Sequence, residues 1–161
     1  MNELANELRA IVGGAAQRLH TVPERQVSSP GLDGEWSARQ VLGHLIDSAA
    51  NNHQRFVCAR FVEDLAFPGY DQERWVRAQH YDGEAWQTLV ELWRLYNVHL
   101  AHIVDHIPES VLLRPRLPHT LDVIAWQPVK ADEPVTLEYL IRDYIGHLQQ
   151  HLAQLFAMVG S

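Results

Sequence analysis

Residues 136–158 read TLEYLIRDYIGHLQQHLAQLFAM, and the way this stretch is patterned sets the architecture. Leu137, Leu140, Tyr144, Leu148, Leu152 and Leu155 recur at steps of three and four, the spacing of a helix with one buried side. Thr136 supplies an N-cap hydroxyl, and Pro134 just before it discourages an earlier start. His147 and His151 are four residues apart, so their rings lie one above the other on the face that carries Leu140, Tyr144, Leu148 and Leu155. A buried imidazole needs a partner for each ring nitrogen. Two readings meet that need. Each ring hydrogen-bonds a neighbouring carbonyl, or the pair binds a divalent metal, in which case a third protein ligand is required from elsewhere in the chain.

Working outward, the preceding segments repeat the same logic. Residues 2–19 form an expected first helix, with Leu4, Leu8, Ile11, Val12, Ala15 and Leu19 as its apolar stripe. Pro23 and the run SSPGLDG at 28–34 mark a loop. Ser37 followed by Gln40 is a capping box, with Trp36 before it as the staple residue, and it opens a second helix expected to run from 38 to about 62. Val41, Leu45, Ala49 and Phe56 face its core. Beside them runs a polar column, His44, Asp47, Ser48, Asn51 and Arg55. Such a column fits a helix that lines a cavity, and it also fits a solvated edge.

FPGYDQERW, at 67–75, begins irregularly at Pro68-Gly69 and leads into a short helix over 71–79, with Trp75 expected to pack inward. Asp82 is the expected cap of a third long helix ending before Pro108, buried through Trp86, Leu89, Val90, Trp93, Leu100 and Val104. Asn97 falls within that buried face, so a specific partner is expected for it. His99, His102 and His106 fall on the opposite, solvated side. Between 109 and 134, prolines at 115, 118, 128 and 134 exclude a regular helix, and LDVIAW is expected as a short strand, half of a small β-hairpin. A connection of this length often covers an active site. The fold class is therefore all-α: a four-helix bundle with a long irregular connection before the last helix, in a single domain spanning 1–161.

Composition narrows the function. Hydrophobic residues make up 47% and charged residues 20% of 161, as in a globular domain. A net charge of −7, without any lysine or arginine run, argues against a nucleic-acid partner. One cysteine, Cys58, excludes a disulfide framework and a thiolate zinc site. It lies fourteen residues beyond His44, about 21 Å along a helix at 1.5 Å per residue, and is expected as a small buried hydrophobe. No membrane span or signal peptide is legible, so a cytoplasmic location is the default. Ten histidines against thirteen lysines and arginines invite a search for metal ligands.

His44 is the third ligand in that search. One imidazole from the second helix and a pair from the last leave a coordination position open, which is the arrangement of a catalytic metal site. Asp47, three residues beyond His44, and Asp143, four before His147, are the carboxylates within one turn of the ligands. Asp47 is preferred as the proton acceptor because it belongs to the polar column. Asn51 and Arg55 are the candidate substrate contacts, since an arginine fork matches a carboxylate.

The blocks WSARQVLGHLIDSAANNHQRF (36–56), GYDQERW (69–75) and TLEYLIRDYIGHLQQHLAQL (136–155) resemble the DinB/YfiT-like metalloenzyme family, in order and across nearly the whole chain. The most specific parts are His44-x2-Asp47-Ser48-x2-Asn51-x3-Arg55 and His147-x3-His151. The resemblance implies a four-helix bundle binding zinc, nickel or a related divalent ion through the three histidines, and a homodimer. It also implies a small-molecule substrate, with bacillithiol S-transferases, mycothiol-dependent isomerases and metal-dependent hydrolases as characterised kinds. Gln150 and Gln154 stand where relatives often carry further histidines. Hydrolase and low-molecular-weight-thiol S-transferase stay open, because water and a thiolate need the same vacant position. A bundle that binds metal only for stability, or that serves only to dimerise, is the non-enzymatic alternative.

Overall fold

A computed structural model describes residues 2–160. Its helices are, in chain order, α1 (Glu3–Thr21), α2 (Glu24–Val27), α3 (Ala38–Cys58), α4 (Gln72–Gln79), α5 (Trp86–Asp105), α6 (Glu109–Leu112), α7 (Leu121–Ile124) and α8 (Leu137–Val159), with a 3-10 turn at Tyr81–Gly83. Among the described residues there is no sheet, only isolated bridges pairing Leu65 with His119 and Arg116 with Val135. The four long helices α1, α3, α5 and α8 form the bundle. Asn2 at the start of α1 donates to Asp105 at the end of α5, and Trp86 Nε1 at the start of α5 donates to the Leu19 carbonyl, so these helices run antiparallel. α3 runs parallel to α5, with Arg39 near Glu84 and His53 near His99. It runs antiparallel to α8, with His44 near His151 and Phe56 near Tyr144.

The caps behave as the sequence dictates at three of the long helices. Asn2 caps α1, Ser37 and Gln40 form the capping box of α3, and Thr136 accepts from the Tyr139 amide at 3.1 Å to open α8. The fourth differs. α5 begins at Trp86, not after Asp82, because the Asp82 carboxylate is taken by the Ser37 hydroxyl and ties the 3-10 turn to the start of α3. Asn97, fully buried on α5, has the partner its position demands: the Tyr144 hydroxyl of α8 donates to its Oδ1, and its Nδ2 donates to the Trp93 carbonyl. His99, His102 and His106 are exposed, as their side of the helix predicts.

Several expectations need correction. α3 ends at Cys58, not near 62, because the Arg116 guanidinium takes the carbonyls of Ala59 (2.7 Å) and Val62 (3.3 Å) and turns the chain there. Cys58 itself is exposed rather than buried. In α4 it is Val76 that is buried, while Trp75 stays 37% exposed against the ring of Tyr70. LDVIAW forms no strand. The Thr120 carbonyl accepts the amides of Val123 and Ile124 and winds the segment into α7.

The connection to α8 is held by long-range polar contacts rather than by periodicity. Buried Arg116 also donates to the Val111 carbonyl at 2.8 Å, and buried His119 bridges the Leu121 amide and the Glu133 carbonyl. Arg116→Ala would leave these carbonyls in the interior without their charged donor. It is expected to cost about 2–4 kcal/mol, read as a lower urea midpoint with unchanged m-value.

Candidate metal centre

α3 and α8 cross so that one imidazole of the first meets the stacked pair of the second. The nitrogens of His44, His147 and His151 available to a metal all lie within 4.8 Å of one another. His44 Nε2 and His147 Nε2 are 3.2 Å apart, and the ring of His44 stands edge-on to both partners, with centroids at 5.1 and 4.7 Å. Trp36 closes the other side of His44 at 4.9 Å. Burial, and then the neighbouring imidazoles, push His44 down to about 3 and His147 down to about 4, so both rings are neutral and keep a lone pair. His151 Nδ1 has Gln154 Oε1 at 2.9 Å, a contact that places the proton on Nδ1 and leaves Nε2 free.

Two ring nitrogens aimed at each other can share only one hydrogen, and a third ring beside them has no hydrogen to receive. A tetrahedral ion with metal–nitrogen bonds of about 2.0–2.1 Å sets its ligand nitrogens about 3.3 Å apart, close to the 3.2 Å seen here. The donor set, its spacing and the neutral state of His44 and His147 fit a divalent metal ion.

A cavity of about 280 Å³ opens onto the cluster. His147 and His151 contribute to its wall, with Ser48, Asn52 and Arg55 from α3 and Asp143 and Tyr144 from α8. Residues 123–126, in and after α7, form another side of its wall, which brings the long connection to the cavity. This strap is fastened to α8 by Asp143, whose two oxygens accept the amides of Trp126 (2.9 Å) and Gln127 (2.7 Å). The Tyr139 hydroxyl donates to the Gln127 carbonyl at 2.8 Å. At Gly146 an added Cβ would meet the Trp126 ring at 2.9 Å, which is why a glycine lets the indole lie flat on the helix there.

The polar column of α3 splits around His44. At about 100° per residue, Ser48, Asn52 and Arg55 turn roughly 20–80° to one side of it, while Asp47 and Asn51 turn roughly 20–60° to the other. The first group lines the cavity. The second does not. Asp47 is buried, and its Oδ1 accepts from the Tyr81 hydroxyl and from Gln79 Nε2, both at 2.7 Å, while its Oδ2 has no partner. Burial raises its pKa against those two hydrogen bonds. Tyr81 reaches it only because residue 43 is glycine, where a Cβ would lie 2.1 Å from the ring. Asn51 Nδ2 donates to the Asp47 carbonyl and stays off the cavity wall. Spacing alone does not single out Asn52, Tyr70 or Gln154 for these positions, although GYDQERW carries Tyr70, whereas Asp143 is marked by its distance of four residues from His147.

Among the described residues no helix is long and apolar enough to cross a membrane. The chain is similar to "Putative metal-dependent hydrolase YfiT" of Bacillus subtilis (strain 168), with 27% identity over 139 residues, 86% of this chain and 72% of that protein. It is also similar to "Putative metal-dependent hydrolase OB0413" of Oceanobacillus iheyensis, with 25% identity over 75 residues, which are 47% of this chain and 43% of that one. The solved structure of YfiT, described as "a probable metal-dependent hydrolase with an unusual four-helix bundle topology", aligns over 98% of this chain and 87% of its own. The TM-score is 0.77 at 21% identity, a likeness of fold. The DinB superfamily profile matches residues 8–155, and the chain belongs to that superfamily.

Proposed function

We propose that this protein is a metal-dependent hydrolase of a small molecule, with His44, His147 and His151 as the ligands of one divalent ion, zinc or nickel. The observation that carries the reading is the convergence of three imidazoles, two of them on the wall of a cavity. When bound there, such an ion supplies Lewis acidity and lowers the pKa of a coordinated water. The protein's own residues do the rest. Gln154 holds His151 in one tautomer. The strap of residues 123–126 forms part of the cavity wall. Asp47, one turn from His44 and with a free buried oxygen, is the group that holds the proton, acting from behind the ligand rather than from the cavity wall. Arg55 orients the substrate, and Asn51 supports that wall through its bond to the Asp47 carbonyl.

A small thiol is the alternative nucleophile for the same open position, which would make the protein an S-transferase. Titrating the cobalt-substituted protein with low-molecular-weight thiols decides between them. A sulfur-to-metal absorption band favours the thiol, and its absence favours water.

His147→Ala is expected to abolish metal binding. Elemental analysis showing one metal per chain in that variant would mean that the ligands are misassigned. Gln154→Ala, which keeps all three ligands but frees the ring of His151, is expected to weaken metal affinity about ten- to a hundredfold in a competition titration against a chelator.

A further inference from the structure

The cavity wall contains a cation that the proposed metal chemistry does not itself require. Arg55 is only 6% exposed and lines the cavity. Its Nη1 reaches Asn52 Oδ1 at 3.5 Å and its Nη2 donates to the Pro68 carbonyl at 3.1 Å, both neutral acceptors. Among the described residues no carboxylate lies within ion-pair distance of it. Asp143 shares the cavity and its charge is felt at Arg55, but its two oxygens accept amides of the strap and it makes no contact pair with the guanidinium. Buried guanidinium groups ordinarily have an anionic partner, because arginine stays charged and its desolvation is costly. This guanidinium stands in the wall of the cavity that opens onto the histidine cluster.

A second donor stands on the same wall. Tyr70 lines the cavity, with its ring packed at 5.1 Å from Trp75. Burial, and then the charge of Asp47, push its phenol up to about 12 against the nearby charge of Arg55 and a hydrogen bond with Ser48, so the hydroxyl keeps its proton. The remaining wall is apolar where Ile124, Trp126 and Leu140 contribute.

We propose that Arg55 and Tyr70 form an anion subsite that takes the carboxylate of a small organic acid, with the acid's apolar body against Trp126 and Leu140. A planar carboxylate matches the guanidinium fork through two parallel hydrogen bonds. A dianionic phosphate would leave excess negative charge beside Asp143. The cavity, at about 280 Å³, restricts the acid to a compact one. This names the substrate class of the site proposed above and rests on that reading.

The test is calorimetric titration of the full-length protein with benzoate and with its neutral isostere benzamide, with metal content measured on the same samples. Benzoate is expected to bind at least tenfold more tightly than benzamide. Arg55→Gln is expected to lower benzoate affinity at least tenfold and Tyr70→Phe severalfold, both at wild-type metal content. Equal affinity for the two probes, or an Arg55→Gln protein that binds benzoate like wild type, overturns the subsite. Should Arg55→Gln fail to fold by circular dichroism, Tyr70→Phe and the benzamide comparison decide. Wild-type protein that selects benzoate through Arg55 yet takes up no divalent metal when it is offered supports the subsite and sinks the metal reading. A fully loaded protein without that selection sinks the subsite alone.

Discussion

Three imidazoles packed against one another between α3 and α8 impose a demand that the rest of the helical core cannot meet. Apolar neighbours offer His44 no acceptor, and the ring nitrogens of His44 and His147 face each other at 3.2 Å. Protonating one ring would relieve the crowding in water, but burial holds both far below the usual histidine range. Lone pairs without protons, fixed at a metal's bite, are what a divalent ion requires of its ligands. Much of the surrounding structure can be understood as holding these rings in place. Trp36 packs beside His44, Gln154 orients His151, and the edge-to-face contact of Phe56 with Tyr144 sets the crossing of the two helices farther along.

That crossing depends in turn on a buried polar tie. The Tyr144 hydroxyl and the Asn97 amide join α8 to α5 in a region otherwise made of Trp93, Leu100 and Leu148. A dry aliphatic contact would tolerate sliding by a methylene or two, whereas a hydrogen bond between two fully buried groups fixes one register because every slipped arrangement leaves both unsatisfied. Asn97 thus helps to set the height of His147 and His151 opposite His44 without touching any of them.

The helices were legible in the sequence because their signals are local. Ser37 with Gln40, Thr136 with Pro134, and the steps of three and four along each apolar face all act within a turn or two. The odd position of Asn97 was legible for the same reason. What could not be read depends on partners far along the chain. α3 stops at Cys58 because Arg116 arrives from more than fifty residues away, and Asp82 is diverted from capping α5 by Ser37 of another helix. LDVIAW has β-branched and aromatic residues that suit a strand, but Thr120 is tied to Phe67 through two hydrogen bonds and the chain turns there. The polar column was visible as a column, yet helical periodicity does not say on which side of His44 the neighbouring helix leaves a gap. An offset of one residue separates Asn51, bonded back to its own helix, from Asn52 on the cavity wall.

The split of that column gives the two carboxylates different work. Asp143, on the cavity, spends both oxygens on the backbone of the strap and so acts as an anchor for the cover. Asp47, off the cavity, has one oxygen saturated by Tyr81 and Gln79 and the other free within the interior. A carboxylate that fastens a loop by two amides is poorly suited to exchange a proton, since protonation would break the fastening. A carboxylate with an idle buried oxygen and a raised pKa suffers no such loss. The division also explains why Arg55 has no contact ion pair: the acid that shares its wall is fastened to the strap and acts on the guanidinium only through space, and the other faces away.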